Sequence, residues 1–295
     1  MLPVPYFHLV FTLPHALNYL IGAAPRRLYE NLFAAASATL IEFAASPQHL
    51  GGMAAFSLVL HTWKQDLGRH VHVHALVAGG ALAESGVWIR PKKGFLFPVR
   101  ALSKVFRGKF VAGLDQLRQQ GELPHGLDQA AWQTLKHTLH AHDWVVYAKQ
   151  PLGGPEAVLD YLGRYTHRVA ISNERMVGIT NEQVAFRVRA DVEGKRRVLR
   201  LPGSEFITRF LLHVLPGGFK RIRHYGLLSP ARKQAGLAAA RSALAVPPPE
   251  AAIIESVTAF MQRIGRQASL CCPHCGGHLA ITASLLPQTQ ARGPP

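Results

Sequence analysis

Two stretches of the chain carry side chains whose types and spacing could do chemistry together. The first is Leu67-Gly-Arg-His-Val-His-Val-His-Ala-Leu-Val-Ala-Gly-Gly80, in which His70, His72 and His74 alternate with valines before a Gly-Gly stop. Successive side chains of a β-strand point to opposite faces, so all three imidazoles line one side. Neighbours on that side lie about 6.5–7 Å apart along the strand, which lets adjacent imidazoles converge on one small ion. An exposed strand face that happens to carry histidines is the alternative. The second stretch is Tyr161-Leu-Gly-Arg-Tyr-Thr-His-Arg168. On a helix its i, i+3, i+4 and i+7 positions, Tyr161, Arg164, Tyr165 and Arg168, share a face. Two phenol oxygens one turn apart, flanked by guanidinium groups, are arranged to meet a phosphate. A phenolate is a competent nucleophile towards a phosphodiester, and the arginines can stabilise charge on the phosphoryl oxygens. Phenol ionises near pH ~10, so a metal or cationic neighbour must assist at neutral pH. An amphipathic packing pair with arginines lying over it is the alternative. Taken together, the two stretches ask for one explanation. A divalent metal polarises a scissile phosphate, and a helix-borne tyrosine attacks it.

The charge balance points the same way. Thirty-three Lys and Arg face seventeen Asp and Glu in 295 residues, a formal charge of +16. Such an excess repels itself unless a polyanion neutralises it. Nucleic acid is the first expectation and an anionic membrane surface the second. Between Lys195 and Lys233 there are ten Lys or Arg and a single acid, Glu205, which makes a patch. Lys195, Arg196, Arg197, Lys220, Arg221 and Arg223 are its candidate phosphate contacts. No apolar run reaches the ~20 residues of a membrane span, and the N-terminus lacks the layout of a signal peptide. All three cysteines fall between Cys271 and Cys275, which excludes a disulfide framework and suits a reducing, cytoplasmic setting. Cys272-Pro-His-Cys275 has the spacing of a zinc half-site. Cys272, Cys275 and His278 supply three donors where a structural Zn²⁺ needs four, and Cys271 sits too close to Cys272 to complete the set. Such a half-site is vestigial or is completed by another chain.

The elements that must position these groups read as follows. Tyr6–Thr12 is a strand buried on both faces, and Pro25–Ala45 is a helix with Pro25 in its first turn. Phe56–Trp63 is an extended or short helical lead into the histidine strand. Further strands are expected at 87–90, 144–148, 169–171, 184–188 and 197–201, and helices at 98–120, 127–141, from Pro155 through Tyr165, 206–215, 231–244 and 251–264. Lys220–Tyr225 reads as a basic edge strand or loop. Pro247-Pro-Pro249 is a stiff linker. Irregular alternation of strands and helices predicts an α+β fold with a central, mainly antiparallel sheet flanked by helices, and a helical C-terminal extension. Residues 1–228 are expected to form the catalytic domain, 229–265 the helical extension and 266–295 a partly disordered tail.

Tyr6-Phe-His-Leu-Val-Phe-Thr-Leu-Pro14, His70-Val-His-Val-His74 and Tyr161-Leu-Gly-Arg-Tyr-Thr-His-Arg-Val-Ala-Ile-Ser172 occur in the order of the three motifs of HUH endonucleases. The chain resembles the two-tyrosine transposases of rolling-circle insertion sequences, the insertion-sequence-ninety-one family. The resemblance continues through Phe206–Pro216 and Phe219-Lys-Arg-Ile-Arg-His-Tyr-Gly226 and covers roughly residues 1 to 235. It implies a catalytic sheet of the ferredoxin or RNA-recognition-motif type. It implies His72 and His74 as ligands of Mg²⁺ or Mn²⁺, with the third ligand open among His70, Glu156 and Asp160. Tyr161 and Tyr165 match the paired nucleophiles. One cleaves a single strand and holds a 5′-phosphotyrosine, and the second permits strand exchange, without ATP. The implied partner is single-stranded DNA at element ends and target, in the bacterial cytoplasm at the nucleoid. A plasmid replication initiator or relaxase with the same chemistry is the nearest alternative. Family members carry a cysteine-rich zinc-binding segment ahead of the first strand, and this chain begins almost on that strand. An inactive DNA-binding remnant of a truncated transposase is therefore the other alternative.

Overall fold

The computed structural model describes residues 1–92, 96–124, 127–152, 170–188, 197–248, 255–265, 270–272 and 274–279, with the backbone alone for 149–152. Among them a central sheet is built from β1 (Tyr6–Thr12), β2 (Met53–Trp63), β3 (Arg69–Leu82), β4 (Trp88–Ile89), β5 (Val146–Leu152) and β9 (Ile222–Gly226). Its order is β5-β1-β3-β2-β9, with β4 paired to the end of β3. Every pairing is antiparallel. The sheet matches the α+β expectation, with the basic segment at 220–225 serving as an edge strand. His72 lies opposite Thr12 on β1 and His61 on β2, and His74 lies opposite Val10 and Val59. Directly opposed residues share a face, so these registers decide which side chains meet.

One face is apolar. Phe7, Leu9, Phe11, Phe56, Leu58, Leu60, Val71, Val73, Ala75 and Val77 join one buried cluster with residues of the short helix α1 (Asn18–Ala23) and of two long helices, α2 (Pro25–Ala45) and α3 (Val99–Gln119). Phe106 of α3 meets Phe11 edge-on at 5.0 Å and Trp144 at 5.4 Å. The Trp144 indole N–H donates to the Leu139 carbonyl at the end of α4 (Gln129–Ala141), so the buried aromatic keeps its hydrogen bond. The other face is shared. Part of it is covered by Leu2, Val4, Trp88, Leu227 and Ala240, the last on α6 (Lys233–Ala243), which pack on Tyr6, Ala55, Leu76 and Ala78. The remainder carries His8, Ser57, His61, His70, His72 and His74.

Two expectations are corrected. β3 does not stop at Gly79-Gly80 but runs on to Leu82. The glycines are there for close approach: Gly79 N–H donates to the Pro5 carbonyl at 2.7 Å, and a Cβ on Gly80 would lie 2.3 Å from the Trp88 indole nitrogen. A strand is also absent at Ala170–Ile171. Ala170 has φ +49°, outside the range strands use. The strand comes later, as β6 (Met176–Thr180), and pairs with β7 (Gln183–Val188) and then β8 (Arg197–Pro202) in a second, three-stranded sheet. The helix read from Pro155 through Tyr165 lies outside the described residues.

The smaller sheet and the following helix α5 (Gly203–Leu211) hold the tip of the β2–β3 hairpin. Leu67, at φ +63° and fully buried, seats in a cluster with Ala170, Phe186 and Leu201. Arg175 donates to the Gln65 carbonyl and Arg209 to the Asp66 carbonyl at 3.1 Å. His213 Nε2–H donates to the Leu67 carbonyl at 2.9 Å, which leaves its Nδ1 to accept the Thr62 hydroxyl at 3.1 Å. All three tip carbonyls are thereby satisfied by side chains from a distant segment, and the relative register of His61 and His72 is fixed from outside the hairpin.

The chain divides into two compact units, Met1–Pro247 and Pro248–Pro295. The second contains α7 (Val257–Arg263), whose N-terminal Ser256 hydroxyl accepts from the Ala259 N–H, and a bridge between Cys271 and His278. Among the described residues no helix is long and apolar enough to cross a membrane.

Candidate metal centre

The histidines of β3 sit in a longer row of imidazoles than the sequence suggested. From the exposed His15, ring centroids follow at 5.5 Å to His70, 5.0 Å to His72 and 4.8 Å to His74, with His8 a further 5.0 Å on. His61 of β2 packs beside the row, 5.4 Å from His72 and 4.2 Å from His74. His61, His72 and His74 each offer one ring nitrogen, and these atoms all lie within 4.8 Å of one another. No other group of three such donors occurs among the described residues. His70 lies on the shared face at the outer end of the row, beside His15, and is not part of that triangle. Glu156 and Asp160 lie outside the described residues.

Hydrogen bonding fixes which nitrogens are available. His72 Nδ1 lies 2.9 Å from the His70 carbonyl, which can only accept, so His72 donates from Nδ1 and keeps the Nε2 lone pair. His74 Nδ1 is engaged by His8 at 2.7 Å, so any metal contact from this ring falls to Nε2. Burial pushes the His72 imidazole down to about 4; the His70 carbonyl opposes this and the His70 ring adds to it. His70 is also lowered, by burial and then by His15 and Lys64. At neutral pH His72 is therefore neutral, the form that ligates a metal. Three imidazoles converging from two hydrogen-bonded strands fit a divalent transition-metal ion. His61 stacks on Trp63 at 4.8 Å, and the Arg221 guanidinium lies 4.8 Å over the Trp63 ring. A cation thus stands two ring contacts from the histidines, itself bonded to the Leu60 carbonyl at 3.0 Å.

The other expected site residues are distributed as follows. Lys220 is exposed beside the β9 edge. Arg223 turns away from the histidines and covers Phe33 and Phe219 at 4.4 and 4.9 Å. Arg197 opens β8, exposed. Tyr161, Arg164, Tyr165, Arg168, Lys195 and Arg196 lie outside the described residues. In the second unit Cys272, Cys275 and His278 do not converge as a three-donor group. The Cys272 thiol is lowered by the backbone N–H groups of Cys275 and His274 and by the Cys275 side chain. His61 was missed by sequence reasoning. The signal for it was the hairpin register, which was hidden because β2 is buried almost end to end and shows no alternation.

A family model described as "Putative transposase" (Y2_Tnp) matches residues 55–235, an interval that contains all three histidines and both tyrosines. The chain is 40% identical to "Putative transposase y4qJ" of Sinorhizobium fredii, over all of this chain and 76% of that protein. It is 29% identical to the transposase for insertion sequence element IS801 of Pseudomonas savastanoi pv. phaseolicola, over 76% of this chain and 54% of that protein. Among solved structures, the conjugative relaxase TrwC in complex with oriT DNA, metal-free, is similar over 81% of this chain and 72% of that one, at 13% identity and a TM-score of 0.30. Its metal-bound complex is similar over 47% and 65%, at 14% identity and a TM-score of 0.29.

Proposed function

The chain belongs to the Y2_Tnp transposase family, and on that premise we propose that it cuts and rejoins single-stranded DNA at the ends of a mobile element and at its target. The observation that carries the reading is the triangle of His61, His72 and His74 on the central sheet, in a chain with a formal charge of +16. In this reading the three imidazoles hold one divalent ion. An all-nitrogen set suits Mn²⁺ better than Mg²⁺, which prefers oxygen ligands. Such an ion supplies Lewis-acid polarisation of a phosphoryl oxygen.

The chain's own residues do the rest. The phenolate oxygen of Tyr161 or Tyr165 attacks the phosphorus and the bond to the 3′ oxygen breaks. A free 3′-hydroxyl is released and the 5′ phosphate stays on tyrosine. Arg164 and Arg168, each three residues after a tyrosine in the sequence, offset charge on the phosphoryl oxygens. Attack of a 3′-hydroxyl on the phosphotyrosine reverses the step and joins new ends, with no external energy source because the diester bond is conserved. Arg197, Lys220 and Arg221, with Lys195 and Arg196, hold the backbone of the strand, whereas Arg223 packs on the opposite face of the sheet. Cys272 and Cys275, with the C-x₂-C spacing, are a zinc half-site in this scheme, and His278 and a further donor would have to close on them for a zinc ion to bind.

The test is a denaturing gel for a covalent protein–oligonucleotide adduct, formed with Mn²⁺ on element-end single strands. Wild type should form the adduct, Tyr161→Phe/Tyr165→Phe should not, and chelation should abolish it. An undiminished adduct from the double variant would remove the tyrosines from the nucleophile role. DNA binding by wild type without any adduct would favour a binding remnant. Metal analysis of the purified full chain addresses the tail: zinc lost on Cys272→Ser/Cys275→Ser supports the half-site.

A further inference from the structure

His8 stands outside the ligand triangle, on β1, across β3 from His61. It is 4% exposed. Its Nε2 lies 2.7 Å from His74 Nδ1, and the two rings are within 2° of parallel with centroids 5.0 Å apart. That separation is the nitrogen–nitrogen distance plus the two ring radii, so the imidazoles meet end to end in one plane rather than face to face. The register accounts for this. His8 opposes Leu76 and is the diagonal neighbour of His74 on the same face, within reach of long side chains.

A hydrogen bond between two neutral imidazoles holds one proton, which can sit in two ways. If His8 Nε2–H donates, the His74 proton must be on its Nε2, and that nitrogen cannot bind a cation. If His74 Nδ1–H donates, the Nε2 lone pair is open. We propose that His8 is a positioning residue for the metal centre: in its Nδ1–H tautomer it accepts the His74 Nδ1 proton and fixes the ring plane and tautomer that ligation requires. The inference rests on the reading of His61, His72 and His74 as a metal site. The His70 carbonyl serves His72 in the same way at 2.9 Å, but by a different logic. A carbonyl can only accept and so enforces one tautomer. An imidazole can do either, so occupancy of the metal site selects the proton's position on the His8–His74 pair.

The test is Mn²⁺ titrated into the full chain by calorimetry, with free Mn²⁺ followed by electron paramagnetic resonance and folding by circular dichroism. His8→Leu should weaken Mn²⁺ binding by about 10–100-fold, the usual effect of losing the outer partner of a histidine ligand. His8→Gln, whose amide oxygen reaches the place of Nε2, should restore most of the affinity, and the shorter His8→Asn should not. A folded His8→Leu protein with wild-type affinity overturns the proposal. So do Gln and Asn variants of equal affinity, a contrast that decides the matter even where His8→Leu does not fold. Failure of wild type to bind Mn²⁺ overturns the metal centre itself, and this role with it.

Discussion

β1, β2 and β3 build two unlike surfaces from alternate residues of the same chain. Towards α2 and α3 they present Phe7, Phe11, Phe56, Leu58, Val71 and Val73, all 4% exposed or less. Towards the other side they present His8, Ser57, His61, His70, His72 and His74. The first surface is specified redundantly: many apolar contacts share the stabilisation, and no single residue sets its chemistry. The second is specified by a few directional bonds: two ring nitrogens fixed by an accepting carbonyl and a neighbouring imidazole, and a register held by a distant sheet. On the proposed reading, stability and function are therefore separable on this molecule, although they lie one residue apart along each strand.

The largest break in that comparison should come from His61→Ala. Under the proposed mechanism, loss of this ligand withdraws metal polarisation of the phosphate, several kcal/mol of transition-state stabilisation, so cleavage with Mn²⁺ should fall by about 10⁴-fold or more. Salt-dependent DNA binding and the urea midpoint should stay near wild type. A matching collapse of stability would show that the histidine face is structural. Phe56→Ala, on the opposite side of the same strand, should cost about 3–5 kcal/mol of folding free energy. DNA binding and cleavage should then decline together with the folded fraction read from urea titrations. Loss of cleavage at unchanged stability would erase the division between the faces.

A smaller effect concerns protons. His72 titrates near 4 in the folded chain against an ordinary 6.5. Above pH 6.5 both states are neutral and nothing changes. As pH falls from 6.5 towards 4 the unfolded chain takes up a proton that the folded chain refuses. The metal-free protein should lose up to about 3 kcal/mol across that window through this group. His70, His213 and His224 are lowered by burial in the same direction and add to the slope. Urea midpoints measured from pH 7.5 to 4 should show the decline, flattened in His72→Gln. An unchanged profile in that variant would mean that the His72 environment is wetter than the fold indicates.

What the sequence made legible follows the same division. Alternation placed His70, His72 and His74 on one face, and the helix from Pro25 to Ala45 was marked by its stripe and its proline. Burial on both sides of β2 erased the period that would have shown His61 facing His72. The role of Gly79-Gly80 was also concealed, because a glycine that admits a neighbouring indole looks the same in sequence as one that turns the chain. β6 was passed over because Val177 and Ile179 point into solvent, so its apolar residues mark no core. His8 read as one more residue of a buried strand, and only the register with β3 gives it a partner.

The grip on Lys64–Gly68 has a consequence for variation. A short hairpin turn between two long strands is ordinarily where a protein accepts insertions and changes of length. Here the carbonyls of Gln65, Asp66 and Leu67 are each held by Arg175, Arg209 and His213. A library of turn lengths at this position should therefore be nearly intolerant. Survivors should be recovered by compensating changes 110 to 146 residues away rather than by neighbours in the turn.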